Sequence, residues 1–70
     1  MLNWERLVRE AVTVRKQERL SQRDLAALAG VTQPTVVKFE KGSTSILVDS
    51  ALAILRALSL AERQDGSSFR

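Results

Sequence analysis

The chain has 70 residues with Lys and Arg numbering 11 against 8 for Asp and Glu, which fits one small domain. Such a chain buries only roughly 60% of its unfolded surface and gains about 3 to 5 kcal/mol of stability from its core. It contains neither cysteine nor histidine, which excludes disulfides, the usual zinc ligand sets and thiol or imidazole catalysis. No metal or cofactor is expected. No apolar run approaches the about 20 residues that span a bilayer, and "MLNWERLVRE" lacks the basic start and apolar block of a signal peptide. A cytoplasmic, non-membrane protein is expected.

Asn3 is a natural N-cap, followed by Trp4, Leu7, Val8, Ala11, Val12 and Val14 near the helical period. The spacing predicts a first helix over roughly residues 4 to 18, with Trp4 on its core side and Arg6, Arg9 and Lys16 on a solvated face. In "SQRD", Ser21 and Asp24 form a capping box that starts a second helix burying Leu25, Ala26, Leu28 and Ala29. Gly30 ends it. Thr32 is the next cap, so the two helices meet at a steep angle.

The third helix runs from about Gln33 to Glu40 or Lys41, and Gly42 terminates it. Pro34 falls in the first turn, where its missing amide hydrogen has no intrahelical acceptor to lose. A looser segment follows, with Thr44 or Ser45 as caps for a fourth helix over about 48 to 58. That helix is apolar round most of its circumference, and "SLAERQDGSSFR" adds at most one short turn before a polar tail. The domain is placed at residues 1–64 with its central motif at 21–41, and the frayed tail at 65–70. The fold class is all-α, a compact bundle of four to five short helices.

On a helical wheel, Val36 and Phe39 share the inner face of the third helix. Pro34, Lys38 and Lys41 share the outer face, flanked by Gln33 and an outward Val37. The outer face has no acidic residue, and its amide, methyls and ammonium groups match what base edges in a DNA major groove present. Gln33, Thr35, Val37 and Lys38 are therefore candidates for base contacts, and Lys41, Ser43 and Thr44 for phosphate. The start of the second helix is a further anion site, flanked by Gln22 and Arg23. Glu40 falls on the inward side and needs a cationic partner, for which Arg15 is the choice. The apolar excess at Leu47, Ile54, Leu58 and Leu60 either completes the core or forms a dimer seam.

The run "LSQRDLAALAGVTQPTVVKFEKG" resembles the helix-turn-helix of the Xre/Cro and lambda-repressor-like DNA-binding family. The resemblance rests on Leu20, Ser21, Gln22, Leu25, Ala26, Gly30, Val31, Gln33, Thr35, Glu40 and Gly42, with Thr32 and Val36 as conservative changes. It implies a non-enzymatic repressor that binds double-stranded, palindromic operator DNA as a homodimer, with the third helix in the major groove. It further implies that Gln22 meets phosphate, that Gln33, Pro34 and Lys38 occupy base-reading positions, and that an Arg before the motif pairs with Glu40. Pro34 and Val37 depart from the polar residues common there. The segment "GSTSILVDSALAILRALSL" resembles the HipB-like antitoxin subgroup, which implies the alternative of a module that neutralises a toxin partner and autoregulates its operon.

Overall fold

The computed structural model describes the backbone of residues 3–66 and side chains through Glu62. Among the described residues four helices follow one another: α1 (Trp4–Gln17), α2 (Gln22–Ala29), α3 (Gln33–Glu40) and α4 (Val48–Gly66). No strand occurs among the described residues, so the fold class is the all-α bundle expected.

The starts of α1, α2 and α3 are each capped by the residue that the sequence offers. The Arg6 amide donates to Asn3 Oδ1 at 3.0 Å. The Asp24 amide donates to Ser21 Oγ at 2.9 Å while the Ser21 amide donates back to Asp24 Oδ2 at 3.0 Å. The Thr35 amide reaches Thr32 Oγ1 at 3.3 Å. These bonds satisfy amides that would otherwise lack partners at each helix start.

The three short helices also end alike. After α2, the Gly30 amide donates to the Ala27 carbonyl and the Val31 amide to that of Ala26; after α3, Gly42 bonds Phe39 and Ser43 bonds Lys38. This paired closure needs a left-handed residue, which Gly30 (φ 73) and Gly42 (φ 82) supply. The end of α1 uses the same closure, Arg19 to Lys16 and Leu20 to Arg15. There the left-handed residue is Arg19 with φ 59, where a Cβ is strained.

The core is one cluster built from Val8 and Ala11 of α1, Leu25 and Ala26 of α2, Val36 and Phe39 of α3, and Ala51, Ile54, Ala57 and Leu58 of α4. Helix α2 packs against both α3 and α4. Three features differ from the sequence reading, and one alternative that it left open is decided. Leu28 is 60% exposed, because α2 sends Leu25 and Ala26 inward and turns Leu28 past the contact edge. Ile54 and Leu58 are 0% and 4% exposed, so they complete the core and cannot form a seam. Helix α4 runs on to Gly66, since "SLAER" contains nothing that breaks a helix once the apolar stripe fades. Of the tail placed at 65–70, residues 67–70 lie outside the described residues. Neither Thr44 nor Ser45 caps α4: the Ala51 amide donates to the Leu47 carbonyl, and the Ser45 amide bonds Ser43 Oγ.

Two measurements follow from these termini. Arg19→Gly should stabilise the fold by about 0.5 to 1 kcal/mol, seen as a rise in Tm of roughly 2 to 8 °C, while Arg19→Val should lower it. The Ser21 amide, then the Ser21 hydroxyl, hold the Asp24 carboxyl below its ordinary value, with Arg23 adding to the effect. A depressed folded value contributes stability that is complete above the unfolded pKa of about 3.9 and is lost as pH falls through the lower folded value. Asp24→Asn should flatten that acid limb in denaturant titrations across this window.

Candidate nucleic-acid interface

An eight-residue helix containing a proline and three β-branched residues does not hold itself. Helix α3 is held from beneath by Val36 and Phe39, both fully buried, and from one side by an ionic node. Arg15 Nε donates to Glu40 Oε2 at 2.6 Å and its Nη2 to Oε1 at 3.2 Å, while Nη1 donates to the Leu20 carbonyl at 2.7 Å. The two side chains are 12% and 9% exposed. Gln22 Nε2 also donates to Glu40 Oε1, at 3.0 Å. Thus the end of α1, the turn after it, the start of α2 and the end of α3 meet at one ion pair.

The far end of α3 has a second tie. Trp4 Nε1 donates to the Gly42 carbonyl at 3.0 Å, and its ring meets Phe39 edge-on with centroids 5.7 Å apart. The indole therefore packs, as the sequence reading has it, and also bonds the residue that ends α3. Nothing in the local pattern marks a pairing 38 residues apart.

The outward face of α3 is what this frame presents. Gln33, Pro34, Val37, Lys38 and Lys41 line one shallow concavity. Gln33, Pro34, Lys38 and Lys41 are exposed, whereas Val37 is half-buried rather than fully outward. Thr35 stands apart, its hydroxyl 2.9 Å from that of Thr32 within the cap. Of the phosphate candidates, Arg23 is exposed at the start of α2 and Ser43 Oγ lies 2.8 Å from Ser45 Oγ. Gln22 has one amide hydrogen committed to Glu40, an engagement that its position in the cap did not announce. Thr44 faces elsewhere. It lines an apolar groove of about 340 Å³ with Trp4, Leu7, Ile46, Val48, Ala51, Leu52 and Leu55. Leu47 and Leu60, the two remaining seam candidates, are exposed, as are Val48 and Leu52, which the sequence reading left out.

Two short helices joined by a tight turn, the first capped by Ser21 and the second presenting a cationic, acid-free face, define a helix-turn-helix unit. The helix-turn-helix family profile matches residues 13–63. A protein of Haemophilus influenzae described as an uncharacterized HTH-type transcriptional regulator is 38% identical over 52 residues, covering 74% of this chain and 53% of that protein. The chain belongs to the Xre/Cro-like helix-turn-helix family. It spans about half the length of that relative. No solved structure matches it. No helix among the described residues is long and apolar enough to cross a membrane.

The node is testable by a double-mutant cycle. Arg15→Ala leaves the Glu40 carboxylate largely buried without its cation and should cost about 3 kcal/mol in chemical denaturation. Arg15→Met combined with Glu40→Leu should recover most of that loss, since an apolar pair of similar volume avoids desolvating two charges. A Tm unchanged by Arg15→Ala would show that the pair holds nothing.

Proposed function

We propose that the chain is a sequence-specific DNA-binding transcriptional regulator, acting as a repressor, with α3 in the major groove. The observation that carries this reading is the face formed by Gln33, Pro34, Val37, Lys38 and Lys41. It joins donors and methyl groups suited to base edges with no carboxylate to repel phosphate. Lys38 and Gln33 are assigned to base edges, with Pro34 and Val37 making shape and methyl contacts. Lys41 is assigned to backbone phosphate at the end of α3, Arg23 and the remaining amide hydrogen of Gln22 to phosphate at the start of α2, and Ser43 to the same strand as Lys41. Thr35 contributes at the margin of the face and Thr44 is the weakest of the phosphate candidates, given the groove that it lines.

One reading helix binds weakly, and a palindromic operator presents its half-sites about 34 Å apart to a two-fold dimer. The apolar groove between α1 and α4, with exposed Val48 and Leu52 in its lining, and the exposed Leu47 beside Val48 in the chain, support a homodimer in which each copy covers the other's apolar surface. Repression then consists of excluding other proteins from a promoter, with no chemistry. A second reading uses the same groove for a toxin partner. Sedimentation discriminates: a chain that remains monomeric at high concentration favours the second reading.

Titration against genomic fragments at two salt concentrations tests the assignment. Wild type should retain a few tight sites and lose affinity with salt by roughly one log-slope unit per phosphate-contacting side chain. Lys38→Ala should relax the preference among fragments, by about 1 to 3 kcal/mol at one base position, whereas Lys41→Ala should weaken all fragments alike. Uniform weak binding to every fragment, or variants that change only thermal stability, would refute this face as the reading surface.

A further inference from the structure

Arg9 and Lys16 lie on the side of α1 that the sequence reading treats as a solvated face. The fold gives that face a neighbour. Arg9, Thr13 and Lys16 of α1 line an open cleft whose opposite wall is the end of α3, at Glu40, Lys41 and Gly42. Arg9, Lys16 and Lys41 are all exposed, and none makes an ion pair within 4.0 Å among the described residues. The two carboxylates at the cleft are unequal. Glu40 is already engaged by Arg15 and Gln22, which leaves Glu5, in the first turn of α1, as the sole uncompensated acid facing three cations.

Resting on the reading of α3 as a DNA-contacting helix, the geometry points to a second phosphate track. Arg9 and Lys16 continue the line of Lys41 and bind the phosphodiester backbone of DNA flanking the base pairs that α3 reads. Lys41 belongs both to the α3 face and to this cleft, so a strand that meets it is delivered to the cleft mouth. Arg9 and Lys16 are seven positions apart, which puts them on one stripe about 10 Å long. Phosphates of one strand rise about 3.4 Å each along the helix axis and lie roughly twice as far apart along the winding backbone, so about two phosphates pass within that length. Contacts of this kind add affinity and salt dependence without reading sequence.

The test compares wild type, Lys41→Ala and the double variant Arg9→Gln with Lys16→Gln on a preferred and a non-preferred duplex, over a series of salt concentrations. The double variant should flatten the slope of log K against log salt by roughly two units and lose roughly 10- to 100-fold in affinity at low salt, with the ratio between the two duplexes held. The same substitutions should have no effect on a duplex trimmed to the base pairs under α3. Thr13→Lys, which adds a cation to the stripe at an exposed position, should steepen the slope by about one unit. If the double variant and Thr13→Lys leave the slope unchanged while Lys41→Ala still weakens binding, the flanking track is wrong and the α3 reading stands. If wild type itself shows no salt-dependent binding to either duplex, both fall.

Discussion

The Arg15 guanidinium donates in three directions, to both oxygens of Glu40 and to the carbonyl of Leu20. It thereby ties the end of α1 to the end of α3 and to the turn that leads into α2. Guanidinium and carboxylate meet as two flat groups, so the contact fixes an orientation as well as a distance. Neither α2 nor α3, at eight residues each, holds a helical shape by propensity alone. Pinned at Glu40 and at the turn before α2, with Val36 and Phe39 in the shared core, the pair keeps one crossing angle. A pair this dry contributes little net stability, because desolvation offsets most of the attraction. Its value lies in geometry and in removing the Glu40 charge from a surface that is otherwise cationic.

The same economy governs the connections. Three helices end in the same pair of hydrogen bonds around a left-handed residue, so the chain leaves the helix axis sharply each time. At Gly30 and Gly42 the missing Cβ makes that conformation easy. At Arg19 it does not, and the strain there sits next to the Leu20 carbonyl that Arg15 holds. The closure of α1 thus depends on the node as well as on its own hydrogen bonds.

Much of this was legible in the sequence because it depends on local chemistry. Asn3, Ser21 and Thr32 announce helix starts by their side-chain acceptors, Gly30 and Gly42 announce ends, and a wheel of α3 separates Val36 and Phe39 from Lys38 and Lys41. The spacing of the motif likewise pointed to the family. What periodicity could not decide was which of several apolar residues on one helix meets a neighbour. Leu28 and Ile54 are equally apolar, yet one is outside and the other fully buried, because burial depends on where α2, α3 and α4 come together. The length of α4 escaped for a related reason: its hydrophobic stripe thins before its backbone hydrogen bonding stops. Contacts such as Gln22 to Glu40 and Trp4 to Gly42 join residues 18 and 38 positions apart, so only the assembled fold reveals them.

Trp4 is the single tryptophan of the chain, and its indole is seated against the edge of Phe39 with its N–H on the Gly42 carbonyl. Sequence economy has thereby given the molecule an intrinsic optical probe. Emission colour and quenching of that one fluorophore depend on the polarity and contacts of its surroundings, which here are those of the C-terminal end of α3. Any event that lifts or tightens this end registers in the spectrum without a label, and no second indole dilutes the signal.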